Sequence, residues 1–167
     1  EAITLPEVEK FGYELAAWKM SDENIINGTE TDINKDVVLI PLWNKVNEYT
    51  ITMVHEFDET REPEVVTCSF DNDCWLYEID FVREGYNFDG WLLQLNGEGG
   101  SALYGDGDLV TMSWDVAIDQ GTFDFVVTSQ WSLSEYDIYY FDEEHNSFNL
   151  EKFNYLDDVV KVSTDIG

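Results

Sequence analysis

A Gly-Tyr dipeptide followed by four residues and a Trp occurs twice, as Gly12-Tyr13…Trp18 and Gly85-Tyr86…Trp91. An internal repeat constrains a fold more than local propensity does, because each copy must bury its apolar face against the same kind of neighbour. The glycine before each Tyr marks a close backbone approach or a positive φ. Two further strand-like runs end in Trp43 and Trp131. Each leads through a short polar link to a Glu-Tyr-x-Ile run, Glu48–Ile51 and Glu135–Ile138. Three segments follow from this frame. Residues 1–43 form a first repeat module lacking its opening strand, and residues 44–131 a complete second one. Residues 132–167 form a C-terminal strand segment, the start of a third module or a donor strand.

Period-two alternation dominates the chain and predicts a mostly β fold, with α+β as the alternative. Strands are predicted at Ala2–Leu5, Tyr13–Trp18, Asp36–Ile40 with Leu42-Trp43 after Pro41, Glu48–Val54, Tyr86–Trp91, Leu109–Val116 and Phe123–Trp131. Val65–Phe70 is expected to form a hairpin with Cys74–Leu76. Phe148–Tyr155 and Val159–Val162 are strand-like patches near the end. Asn96–Gly107 reads as a glycine-rich loop with a brief Ala-Leu-Tyr strand. Helix is expected at most as a turn near Val8–Phe11 or Leu76–Phe81.

With 36 acidic and 8 basic residues the chain carries a formal charge of −28. That surface repels nucleic acid and anionic membranes and weakens the compact state by self-repulsion, which salt screens. It fits solvation of an extracellular protein, a saline habitat, cation binding or mimicry of DNA charge. No apolar run is long enough to span a membrane, so no membrane insertion is expected. Cys68 and Cys74, the only cysteines, flank Ser-Phe-Asp-Asn-Asp, a loop length that permits a disulfide. Closing it is worth about 2 kcal/mol and points to an oxidising compartment; two buried thiols in a reducing cell are the alternative.

The portions ITLPEVEKFGYELAAW, DVVLIPLW, YTITMVHEF, VTCSFDNDCWL and FVREGYNFDGW resemble the Listeria–Bacteroides repeat, also called the internalin B-type repeat, of bacterial surface proteins. The resemblance implies tandem small β-grasp-like modules on secreted or wall-anchored proteins, and no catalysis. Ala17 stands where that family usually has Gly, and Pro-Leu and Ser-Gln precede the closing Trp43 and Trp131.

Trp18, Trp43, Trp91 and Trp131 are read as core pillars rather than a sugar platform, because they recur at fixed module positions. Trp75 and Trp114 lie outside those positions and are the better candidates for a surface. Asp71-Asn72-Asp73 and Gly105-Asp106-Gly107-Asp108 lack the full ligand pattern of a calcium loop, so turn chemistry explains them first. No cofactor or metal site is predicted, with calcium as the weaker alternative. No catalytic residue is assigned, and no enzyme activity is expected. Asn27-Gly28-Thr29 is a possible glycosylation acceptor. The incomplete ends suggest strand donation by Tyr136, Ile138 and Tyr140 to another copy. A piece of a longer array, or a hairpin folding back on its own chain, are the alternatives. The expected function is a non-catalytic structural or adhesive repeat protein, secreted or at the cell surface, with a pilus-like filament subunit assembled head to tail as its most specific form. Its partners would be other copies of itself or neighbouring surface modules. An acidic inhibitor mimicking DNA, or a carbohydrate-binding surface module, is the competing reading.

Overall fold

The computed structural model describes residues 1–97 and 100–154, and within them the chain is mostly β: fourteen strands and one short helix. The strands are β1 (Ala2–Thr4), β2 (Tyr13–Met20), β3 (Ile25–Ile26), β4 (Glu30–Asp32), β5 (Leu39–Lys45), β6 (Glu48–Val54) and β7 (Glu64–Ser69). There follow β8 (Cys74–Trp75), β9 (Tyr86–Gln94), β10 (Ser101–Tyr104), β11 (Leu109–Val110), helix α1 (Trp114–Gln120), β12 (Asp124–Leu133), β13 (Glu135–Phe141) and β14 (Ser147–Asn154). The patch Val159–Val162 lies outside the described residues.

The chain forms two compact units, each assembled from separated segments. The first comprises Glu1–Thr50, Thr67–Asp73 and Thr111–Phe125; the second comprises Ile51–Val66, Cys74–Val110 and Val126–Gly167. In the first, the sheet order is β3-β2-β5, and β1 pairs with β4. Leu5, Trp18, Met20 and Ile26 form a buried cluster, against which Val8, Ile33, Val37 and Leu39 pack. Strand β5 runs through Pro41 without a break. A proline cannot donate to a ladder, and its place here is on a strand at the end of the sheet order.

Two strand expectations are corrected. Of the run Leu109–Val116 only Leu109–Val110 is strand, and Trp114–Gln120 is helix instead. The Ser113 hydroxyl caps the helix by accepting the Val116 N–H, Asp115 sits favourably in the first turn, and Gly121 closes it at φ 69°. Neither Val8–Phe11 nor Leu76–Phe81 is helical. The hairpin expected between Val65–Phe70 and Cys74–Leu76 also does not form. Strand β7 lies beside β6 in a sheet of order β10-β9-β12-β6-β7, whereas β8 pairs antiparallel with β11. The turn between them explains why. Asp71 takes a left-handed φ of 59°, its N–H donates to the Met112 carbonyl, and the Thr111 hydroxyl donates to Asp73. The turn is thereby tied to residues 111–112. Both cysteines are nonetheless disulfide-bonded and buried.

The two Gly-Tyr strands, β2 and β9, are built alike. Gly12 and Gly85 have φ of 81° and 79°. The Tyr13 N–H donates to the Lys10 carbonyl and the Tyr86 N–H to the Arg83 carbonyl, both at 3.0 Å. Trp43 on β5 stands opposite Leu15, and Trp131 on β12 opposite Phe88, each two residues past the Tyr. Just beyond each Trp strand, Val46 N–H donates to Gly12 O and Ser134 N–H to Gly85 O. Trp18 and Trp91 are both buried.

Strand β6 extends the second set. Tyr49, Ile51 and Met53 alternate inward and are essentially dry, as a period-two strand against a core requires. The bonds Thr50 to Asp124 and His55 to Ser129 join residues separated by the same 74 positions, so β6 and β12 run parallel. Gly90 on β9 has φ 136°, and a Cβ there would lie 2.5 Å from the Tyr104 carbonyl oxygen on the paired strand β10. Gly121, at φ 69°, has open space instead. We expect Gly90→Ala to cost about 3 kcal/mol or more and Gly121→Ala about 1 kcal/mol by urea unfolding. Equal costs would show that steric conflict with β10 does not matter.

Candidate functional site

An aromatic seat closes over the end of the β6–β12 pair. The chain leaves β6 through His55 and Phe57, and the segment before β9 brings Phe81 and Arg83. Trp131 receives Phe57 edge-on at 5.4 Å, Phe88 at 5.2 Å and Phe81 at 5.6 Å. Arg83 lies 4.1 Å from the Phe57 ring centre and 3.7 Å from that of Tyr86, and Arg61 lies 3.9 Å from that of Phe81. These are the only two arginines in the chain. A guanidinium on a ring face is worth about 0.5–1 kcal/mol at exposed sites and more when desolvated. Both therefore serve as covers for the seat, with Arg61 also paired to Asp80.

A polar knot sits inside the rings. Ser129 Oγ lies 2.9 Å from His55 Nδ1 and also accepts the Trp131 Nε1–H at 2.9 Å. His55 packs against Phe81 and Trp91 at 5.0 and 5.1 Å. Burial lowers its pKa below the ordinary 6.5, and the positive charge of Arg61 lowers it further, against opposing pulls from Asp80 and Asp58. Ser129 is 8% exposed and holds the indole and imidazole in place, so the pair works as internal glue rather than as a presented nucleophile.

The first unit repeats the seat's walls with smaller side chains. Lys10, Tyr13, Leu15 and Trp43 share the ladder and ring contacts of Arg83, Tyr86, Phe88 and Trp131, and Val8 matches Phe81 by chain position. Every pair but that of Trp43 and Trp131 lies 73 positions apart in the chain. Lys10 Nζ sits 3.9 Å above the Tyr13 ring centre, as Arg83 sits over Tyr86. These five residues, with Phe11 and Glu9, line an open groove of about 370 Å³. The counterpart of this groove holds Phe57.

Of the remaining sequence-predicted residues only Trp114 touches a residue that lines a seat. Asn27 is exposed in the connection between β3 and β4. Tyr136, Ile138 and Tyr140 lie on β13, which pairs antiparallel with β14. Tyr136 stacks on Phe153 at 5.2 Å, and the Tyr140 hydroxyl donates to Glu151. Trp75 is 68% exposed. Trp114 is not a surface residue: it is half-buried, edge-on to Tyr13 at 5.4 Å, with Lys45 Nζ 4.2 Å above its ring centre. The acidic turns use their carboxylates on protein donors, within the turn at Asp108 and on distant segments at Asp73 and Asp106. Asp106 accepts the Ile79 N–H, and Asp108 accepts the Gly105 N–H. The seat itself was missed from sequence. The signal that could have found it is the 73-residue spacing of Lys10 and Arg83 before their tyrosines.

No protein-family model, curated protein or solved structure matches the chain.

A depressed His55 pKa makes stability pH-dependent with a definite sign. Below about pH 6.5 the unfolded chain binds a proton that folded His55 resists. The stabilisation is therefore present above that pH and is lost as pH falls through the folded value. We expect the urea midpoint to fall between about pH 7 and pH 5, and His55→Gln to flatten that slope. A slope unchanged by the substitution would assign the acid sensitivity to other groups.

Proposed function

We propose that this is a non-catalytic, extracellular structural protein whose copies associate head to tail. In this reading the chain is a short array of β-grasp-like modules of the internalin B-repeat kind, in which β5 has no counterpart of β6 beside it among the described residues. The observation that carries it is the pair of terminal elements. Strand β12, the Trp131 strand, has β6 and β7 beside it in its sheet, whereas β5, the Trp43 strand, ends its own sheet order. The C-terminal β13–β14 pair stands in the same relation to Trp131 as β6–β7 does to Trp43: a Glu-Tyr-x-Ile strand and a neighbour. A β13–β14 pair added beside β5 of a second copy would give that copy's first unit the neighbours that β12 already has. Such a contact is heterologous and propagates as a filament unless the rotation closes it.

Charge permits the same pairing. Val37–Val46 contains no carboxylate, so this stretch adds no repulsion against Glu135 and Asp137 of β13, which lie near Lys152 of their own hairpin. A disulfide fits an oxidising exterior, and among the described residues no helix is long and apolar enough to cross a membrane. The burial of Ser129 among aromatic rings supports the non-catalytic reading.

Because each copy carries −28, association must work against repulsion that salt screens. We expect light scattering of the purified chain to show higher oligomers at molar salt and fewer at low salt, with filaments by electron microscopy. A monomer at every salt concentration would remove the proposal.

One observation favours a second reading, sugar contact at a surface. Trp75 is 68% exposed, and the half-exposed Tyr77 follows two residues later, beside an open groove shared with Glu64, Glu78 and Asp80. Exposed rings of this kind stack on sugar faces. That reading expects polysaccharide to quench tryptophan fluorescence and Trp75→Ala to abolish the quench; an unchanged signal in both proteins would end it.

A further inference from the structure

The groove at Trp43 has a filled counterpart in the same molecule, and that counterpart identifies what belongs in it. In the second unit Phe57 seats against Trp131, Phe81 and Arg83. Phe57 immediately precedes Asp58, whose carboxylate accepts the N–H of Thr60 two residues on, closing a tight turn. The same arrangement occurs at the end of β13. Phe141 immediately precedes Asp142, whose carboxylate accepts the N–H of Glu144 two residues on. Both sites read Phe-Asp-Glu in the sequence. Each Phe thus directly precedes an Asp-closed turn: Phe141 ends β13 opposite Ser147, and Phe57 lies just past β6 in a turn where the Asp58 N–H donates to the His55 carbonyl. The two rings differ in contacts more than in cover: Phe57 is 39% exposed with its ring against Trp131 and Phe81, whereas Phe141 is 57% exposed.

We propose that Phe141 of one copy seats in the groove formed by Val8, Lys10, Tyr13, Leu15 and Trp43 of a second copy, with β13 running parallel to β5. The proposal rests on the head-to-tail reading above and names its contact. By the precedent of Phe57 and Trp131, Phe141 stands opposite Trp43, and Lys10 covers the ring as Arg83 covers Phe57. Val8 and Leu15 are smaller than Phe81 and Phe88, so the first-unit seat has room for an incoming side chain without rearrangement. Lys10 also meets the carboxylates of Asp142, Glu143 and Glu144 that follow Phe141. Glu9, on the rim of the groove, opposes them, so salt screens both local pairs and the repulsion between two copies of charge −28 gives the contact its rise with salt. Pro41 offers no N–H to an incoming strand, so the ladder along β5 is one bond short and the aromatic seat carries more of the affinity.

The test uses the full chain at a salt concentration where it oligomerises. Phe141→Ser removes the donor ring from an exposed site, and Leu15→Arg obstructs the groove from its partly exposed lining. Each substitution is expected to weaken association about tenfold or more by light scattering, with circular dichroism and melting temperature unchanged. The two variants carry opposite defects, so their mixture retains one good donor and one good acceptor. It should form one-to-one dimers and stop there. Four results would overturn the seat. Undiminished oligomers in both variants would leave head-to-tail assembly standing with its contact elsewhere. Growth of the mixture beyond dimers would do the same. If the wild-type chain stays monomeric at every salt concentration, the seat and the head-to-tail reading fall together. A Trp43 fluorescence change in monomeric Phe141→Ser would show that the ring seats within its own chain, and would also overturn the proposal.

Discussion

Everything else in this molecule depends on how a glycine turns the chain into a Tyr-led strand. At Gly12 and Gly85 the left-handed φ brings the following N–H back to the residue two before the glycine. The glycine's own carbonyl is left to receive the N–H just past the Trp strand, from Val46 or Ser134. One dihedral therefore sets both the start of β2 or β9 and the register of β5 or β12. The large rings then fall into place. Trp18 and Trp91 reach the interior, and Trp43 and Trp131 lie across from the second residue after the Tyr. At Gly12 the constraint is also steric, because a Cβ there would meet Ile118 Cδ1 at 2.6 Å. An L-residue at that site would meet both the conformational cost and the clash.

Charge shapes what can be built on that frame. With a net −28, the eight cationic side chains are too few to neutralise the surface, and several of them serve locally instead. Lys10, Lys45, Arg61 and Arg83 all lie over aromatic rings. A cation over a ring keeps part of its hydration while covering apolar surface with its stem. This lets half-exposed aromatic clusters persist on a chain of only 167 residues. His55 fits the same economy: kept neutral by burial, it fills space among Phe81, Trp91 and Ser129 without adding a charge that would need a partner.

The reading of the chain as mostly β, with Gly-Tyr strands and Trp-ended strands, was legible because its causes are local. Alternation in Glu48–Val54 and the glycine before each Tyr act within a few residues. The helix at Trp114–Gln120 was legible in principle, with Ser113 and Gly121 as its caps. Trp114, Val116 and Ile118 also alternate, however, and a period of two over a short stretch does not separate helix from strand. The partner of β8 was not legible at all. Cys74 pairs with Val110 because residues 71–73 are tied to residues 111–112, a contact that no spacing announces.

By itself the sequence determined the strand-forming runs, the positive-φ glycines, the cysteine pair and an acidity whose self-repulsion salt screens. Each of these follows from side-chain shape or charge acting over a few bonds, or from a simple sum over the chain. Only the tertiary structure decided that of the two sets of walls, around Trp43 and Trp131, the second is the one that Phe57 packs against. Filling a seat requires a residue far away in the chain to arrive with the right turn behind it. That is settled by which strand becomes a neighbour of which, and strand order is a property of the packed sheet rather than of any segment in it.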